Sequence, residues 1–146
     1  MVGFSCYLWN IDRTLWLAER IKQARPEVLI LLGGPEISAD NAWVLEHPTV
    51  DFAAIGEGEQ TFAELLAGLI DCDRPTGLIP GLHLRPLRQA DGTLAPREAP
   101  LFRKPLADLN EVSSPYLAGI VDAAEEEMLL LETIRGCVFK CKFCYY

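Results

Sequence analysis

Nowhere in the chain do eighteen or more apolar residues run together, and no basic stretch leads into an apolar one at its start. Neither a membrane span nor a secretory signal is therefore indicated, and the cytoplasm is the expected location. Basic residues are scarce. The 13 Lys and Arg against 21 Asp and Glu give a formal net charge of -8. A general nucleic-acid surface needs clustered cations, and Lys140 with Lys142 does not make one. Internal repeats and low-complexity tracts are also missing. Cysteine is limited to five residues, an odd number, and Cys137, Cys141 and Cys144 crowd one end. A disulfide framework spreads its cysteines through a small secreted fold, so reduced thiols or a metal site are expected instead.

What is present suits one ordinary globular domain, since 50% of the 146 residues are hydrophobic. Val2 to Tyr7 reads as a strand with no polar lead-in. Asp12 is placed to cap a helix in which Ile11, Leu15, Ala18 and Ile21 recur at helical spacing, and Pro26 closes it. Val28 to Leu32 is an aliphatic run of the kind found in parallel strands covered on both faces, and Gly33, Gly34 and Pro35 end it. A short helix is expected over Ala39 to Glu46, then a strand over Phe52 to Ile55 that runs into Gly56, Glu57, Gly58 and Glu59. Phe62, Leu65, Leu66 and Leu69 mark the apolar face of a further helix.

Alternating strands and helices predict a parallel α/β sheet, whose ligands lie beyond the carboxyl ends of the strands. The unusual residues collect at those ends: Ser5 and Asn10, then Gly33 to Glu36, then Gly56 to Glu59. Past Asp71 the prolines multiply. Leu82 to Leu87 and Leu94 flank Asp91-Gly92 as a small hairpin, and the rest reads as a linker. An apolar strand pattern returns at Met128 to Ile134 and delivers Arg135, Gly136 and the cysteines. The expected division is 1–72, 73–126 and 127–146.

Cys137, Cys141 and Cys144 are spaced C-x-x-x-C-x-x-C, which lets three thiolates converge from one loop. Structural zinc and most iron-sulfur clusters use four protein ligands. A 4Fe-4S cube on three cysteines keeps one iron free for another ligand. The spacing, after an Arg-Gly, resembles the radical S-adenosylmethionine (SAM) superfamily. The resemblance implies that Cys137, Cys141 and Cys144 hold the cluster, that SAM chelates its free iron and is cleaved reductively, and that Phe143 lies near the adenine. A zinc site completed by a distant ligand is the alternative for the same thiols.

With that superfamily in view, "VGFSCYLWNIDRTLWLAERIK", "LILLGGPEIS" and "GEGEQTFAELL" resemble the cobalamin-binding domain that precedes the radical barrel in a large subgroup. The implied fold is a partial flavodoxin-like parallel sheet, then a linker, then the first strand and cluster loop of a barrel. The resemblance places Ser5, Gly33 and Gly34 against cobalamin, with Gly56, Glu57 and Gly58 lining the same edge. The D-x-H-x-x-G loop that supplies a cobalt-ligating histidine elsewhere does not occur, and His47 and His83 do not substitute. Many radical members lack that histidine.

The implied protein is therefore a piece of a cobalamin-dependent radical SAM enzyme, with methyl transfer the leading reaction and small-molecule cofactors as its partners. The alternatives are a non-catalytic cobalamin-binding or scaffold domain, or a small zinc protein. Taken alone, the 146 residues are expected to be inactive and to self-associate through the Val2 to Tyr7 edge. Cys6 and Cys72 read as inert buried thiols, Glu125 to Glu127 as a solvated run, and Trp9, Trp16 and Trp43 as packing residues.

Overall fold

A computed structural model describes residues 1–72, 79–85, 101–137, 139, 141 and 142. The chain divides into two compact units, Met1–Pro105 and Leu106–Tyr146. In the first, β1 (Val2–Ser5), α1 (Ile11–Ala24), β2 (Ile30–Gly33), α2 (Ala42–Leu45), β3 (Phe52–Ala54), α3 (Glu59–Cys72) and β4 (Leu82–Leu84) follow in order. The sheet runs β1-β2-β3-β4. The first three strands are parallel and β4 is antiparallel to β3.

Strand alternation sorts the core into two layers, because successive side chains point to opposite faces. Ile30, Leu32 and Ala53 join Ile11, Leu15 and Ala18 of α1 and Val44 and Leu45 of α2 on one face. Leu31, Phe52 and Ala54 pack with Leu65 of α3 and Leu82 of β4 on the other. That two-faced covering is why β2 and β3 carry no polar side chain. Helix α1 ends where Arg25 N–H still reaches the Ile21 carbonyl at 2.7 Å, and Pro26 follows.

Three local expectations are corrected. Asp12 does not cap α1: the N-cap position is Asn10, no side chain caps there, and Asp12 sits in the first turn. The second helix forms only over Ala42–Leu45, because Asn41, not Ala39, starts it; the Asn41 amide instead donates to the Glu36 carbonyl at 3.0 Å. The tryptophans are not core residues. Trp9, Trp16 and Trp43 are 80%, 56% and 52% exposed. Trp9 stacks on Tyr7 and Trp16 lies under the Arg20 guanidinium, so each finds a local surface partner. β4 adds itself to the sheet; the remainder of the expected hairpin, 86–94, lies outside the described residues.

The amino-terminal end of the sheet is tied by one buried carboxylate. Asp51, just before β3, accepts the Ile30 N–H of β2 at 2.8 Å and lies 2.6 Å from Lys22 Nζ of α1. Arg85, just after β4, donates to it at 3.0 Å, and to the Pro48 carbonyl. Its backbone also serves both neighbours, donating to Ile30 O and accepting from Arg85 N–H, each at 3.0 Å. A carboxylate with 4% side-chain exposure is tolerable only because it is paired and hydrogen-bonded.

Among the described residues of the second unit the regular structure is one 3-10 turn, Leu109–Glu111, and the Asp108 side chain before it accepts the Asn110 N–H at 2.9 Å. Met128 to Ile134, expected as a strand, is irregular, with Leu130, Leu131 and Ile134 more than 70% exposed. A strand needs a ladder partner, and the described residues of this unit supply none. The Leu130 N–H turns instead to the Tyr116 hydroxyl at 3.3 Å.

Asp51→Ala should destabilise the chain by about 2–3 kcal/mol in urea unfolding, somewhat under the cost of breaking a fully buried pair because Lys22 and Arg85 reach solvent. A loss below about 1 kcal/mol would show that the node is not a determinant of stability.

Candidate functional site

The three parallel strands deliver their carboxyl ends side by side: Ser5 is in register with Gly33, and β3 ends at Ala54, just ahead of Gly56 to Gly58. The structure therefore brings Ser5, Gly33, Gly34, Gly56, Glu57 and Gly58 to one edge of one sheet. Ser5 is exposed, as are Gly34 and Gly56, while Gly33, Glu57 and Gly58 are half-buried.

Each strand end is shaped by bonds of its own. After β1, Asn10 folds the loop back: its Nδ2 donates to the Ser5 carbonyl at 3.0 Å and its Oδ1 accepts the Tyr7 N–H at 2.7 Å. That leaves Leu8 and the Tyr7–Trp9 stack, 4.7 Å between centroids, presented at the loop's surface. After β2, Cys6 N–H donates to Gly33 O at 2.7 Å and Glu36 N–H donates to Cys6 O at 3.1 Å. These bonds press Gly34 onto the Cys6 backbone.

Gly34 has φ +101°, and a Cβ there would lie 2.7 Å from Cys6 O and 2.8 Å from Cys6 N. The fold alone thus requires glycine at 34. The contrast with Gly58 is informative. A Cβ on Gly58 would meet nothing within 4 Å, and its φ is outside the left-handed region. Space is open there, which is what a site for a bulky ligand needs. Gly33 lies between these cases, with a Cβ in ordinary contact with Ala54.

Neither histidine approaches this edge. His47 Nδ1 pairs with the Thr49 hydroxyl at 2.8 Å and its Nε2 lies 3.4 Å from the Glu19 carboxylate, while His83 is buried on β4 opposite Ala53. Cys6 is fully buried, and desolvation pushes its thiol up from 9.0 to about 11, despite opposing hydrogen bonds from Gly33 and Thr14. The side chain of Cys72 lies outside the described residues.

In the second unit Gly136 has φ +83°, Arg135 pairs with Glu132 at 2.6 Å, and Cys137 Sγ accepts the Phe139 N–H at 3.4 Å. Cys137 and Cys141 are free and exposed. Cys144 and Phe143 lie outside the described residues. Among the described residues no three His, Cys, Asp or Glu side chains are grouped to hold a metal, and no helix is long and apolar enough to cross a membrane. As donors, exposed thiols on a loop are suited to soft metal centres such as iron-sulfur clusters.

A mostly parallel sheet with helices on both faces and glycine-rich strand ends on one edge is consistent with a cobalamin-binding, flavodoxin-like fold. Residues 1–66 match the family model of the B12 binding domain. The chain is also homologous along nearly its whole length to two methyltransferases. It is 35% identical over 153 aligned residues to the cobalamin-dependent radical SAM methyltransferase TokK of Streptomyces tokunonensis, covering 99% of this chain and 21% of that one. To the 2-(S-pantetheinyl)-carbapenam-3-carboxylate methyltransferase of Streptantibioticus cattleyicolor it is 33% identical, with the same coverage. The chain thus spans about a fifth of the length of these curated relatives.

The sequence marks Asn10 at the end of the first strand, but not the two hydrogen bonds by which it folds that loop back. Sequence reasoning missed everything at residues 101–103 that touches this edge. Labelling with iodoacetamide at pH 8 should modify Cys137 and Cys141 and spare Cys6, read by peptide mass spectrometry. The raised Cys6 value favours the neutral thiol of the folded state. Its contribution to stability is therefore complete below pH 9.0 and is lost as pH rises through about 11. Rapid native labelling of Cys6 at pH 8 would contradict its burial.

Proposed function

We propose that this chain is the cobalamin-binding portion and the cluster loop of an enzyme that uses cobalamin and SAM to transfer a methyl group. The single observation that carries this is the edge itself: three parallel strand ends, each with a serine or glycines, brought level on the segment that matches the B12 binding domain. The homology over 99% of the chain to a cobalamin-dependent radical SAM methyltransferase supports the wider reading.

On this reading cobalamin lies against Ser5, Gly33, Gly34 and the Gly56-Glu57-Gly58 turn. The exposed Ser5 hydroxyl is available to a polar group of the ligand, and Gly58 leaves room that a side chain would take. Gly34 also lets the first two loops touch, since a Cβ there would meet the Cys6 backbone. Cobalt receives no histidine from the described residues, since His47 and His83 are committed elsewhere. Cys137, Cys141 and Cys144 hold a 4Fe-4S cluster, with Phe143 beside the adenine of SAM. When bound, the cluster supplies the electron for reductive cleavage of SAM, and cobalamin carries the methyl group. The protein's part is to hold these groups in position and to exclude water.

The test uses the protein that contains this chain. Gly58→Val should lower corrinoid retention at least tenfold while circular dichroism shows the fold intact, because the residue has room for the side chain and loses only about 1 kcal/mol at a helix N-cap. Replacing Cys137, Cys141 and Cys144 together with Ala should abolish the brown absorbance and the cleavage of SAM. Undiminished corrinoid binding by Gly58→Val would contradict the edge, and a surviving cluster would contradict the cysteine assignment.

A further inference from the structure

Arg103 belongs to no motif, yet its side chain is only 12% exposed and every arm of its guanidinium is engaged. Nε donates to the Thr61 hydroxyl at 2.9 Å and to the Pro80 carbonyl at 3.1 Å. One terminal nitrogen donates to Gln60 Oε1 at 3.0 Å, and the other pairs with Glu64 Oε2 at 2.6 Å. Gln60, Thr61 and Glu64 are all in the opening turns of α3. The Phe62 N–H in turn donates to Gly58 O at 2.7 Å, so the gripped helix start is also the downstream flank of the Gly56 to Gly58 turn.

The upstream flank is held by the same assembly. Ile55 N–H donates to Gly81 O at 2.7 Å, and Gly81 N–H donates to Leu101 O at 2.6 Å. Gly81 has φ +80°, and a Cβ there would lie 2.7 Å from Thr61 Oγ1, 3.2 Å from Ile55 O and 3.3 Å from Arg103 Cβ. The chain is packed this tightly around Gly81 because three segments meet on it: the end of β3, the start of α3 and the Leu101–Arg103 strap. Thr61 completes the lock, since its fully buried hydroxyl donates to Pro80 O at 2.9 Å while accepting from Arg103.

The turn between these flanks has open space around it, for a Cβ on Gly56 or Gly58 would meet nothing within 4 Å. Its shape is accordingly set from its two ends. We propose that Arg103 is a positioning residue for the cobalamin edge: with Gly81 it clamps both flanks of the Gly56 to Gly58 turn and keeps that turn in the form the ligand meets. The effect on ligand binding rests on the cobalamin reading above; the clamp on the turn does not. A preorganised loop binds more tightly because its ordering is complete before the ligand arrives.

Two readouts separate the clamp from plain stabilisation. In the protein that contains this chain, Arg103→Met should raise the Kd for hydroxocobalamin about tenfold, the scale expected when a supporting residue behind a binding group is lost. Arg85→Met, at the opposite end of the same sheet, should lower the melting temperature yet leave that Kd within about twofold, which controls for general destabilisation. Arg103→Lys should recover only part of the affinity, because an ammonium cannot span Gln60, Thr61 and Glu64 as a planar guanidinium does. In the ligand-free chain, Arg103→Met should speed amide exchange at Ile55 to Gly58 and leave Asp51 unchanged. If the unsubstituted protein binds no cobalamin, the cobalamin reading fails, and the exchange measurement still decides the clamp. Should Arg103→Met not fold, Glu64→Gln removes one leg and is read in the same two ways. Unchanged exchange at Ile55 to Gly58 in a folded variant overturns the proposal, as does unchanged Kd where cobalamin does bind.

Discussion

The carboxylate of Asp51 is the contact on which the arrangement of the sheet depends. Parallel strands cannot be joined by a tight turn, so their relative level must be set by something other than the connection. Here one buried side chain takes the Ile30 N–H of β2 while its own backbone introduces β3, and Lys22 and Arg85 bring in α1 and β4. With that end fixed, Leu31 pairs with Phe52 and Leu32 with Ala53, and the carboxyl ends of β2 and β3 emerge together. An unpaired charge at this depth would be costly, so the node rewards only the register in which all its partners arrive.

The two ends of the sheet are consequently built from different chemistry. The amino-terminal end spends its charges on holding strands together. At the carboxyl-terminal end the backbone does most of the shaping: Cys6, Gly33, Gly34 and Glu36 close one pair of loops, and Ile55, Gly81 and Leu101 close another. The result is a set of held loops with open space beside Gly56 and Gly58. Cys6 contributes to this edge through its backbone, and its buried, neutral thiol adds no reactivity.

Much of this was legible in the residues. Val28 to Leu32 reads as a parallel strand covered on both faces and Phe52 to Ile55 as a further short strand, and the structure places strands at Ile30–Gly33 and Phe52–Ala54, both largely buried. The glycines following them marked the edge. What stayed hidden involves distance along the chain. Asp51 meets Ile30 across 21 positions and Arg85 across 34, and Arg103 meets Thr61 across 42; no local pattern announces such pairs. β4 is three residues long and follows Pro80, so neither its length nor its surroundings read as part of the sheet. Trp9, Trp16 and Trp43 look like core by composition, yet the α1 and α2 stripes that face the sheet are filled by Ile11, Leu15, Ala18, Val44 and Leu45. Met128 to Ile134 has the composition of a strand, and composition does not provide a ladder partner.

The central claim is that cobalamin meets the chain at the level ends of β1, β2 and β3. Titration of the nitrogen-15-labelled chain with hydroxocobalamin, followed by amide chemical shifts, tests it most directly. The account predicts saturable shifts centred on Ser5, Gly33, Gly34 and Gly56 to Gly58, with Asp51 and Arg85 at the other end of the sheet unmoved. Shifts clustered at the amino-terminal end, or none at any of these glycines, would contradict it.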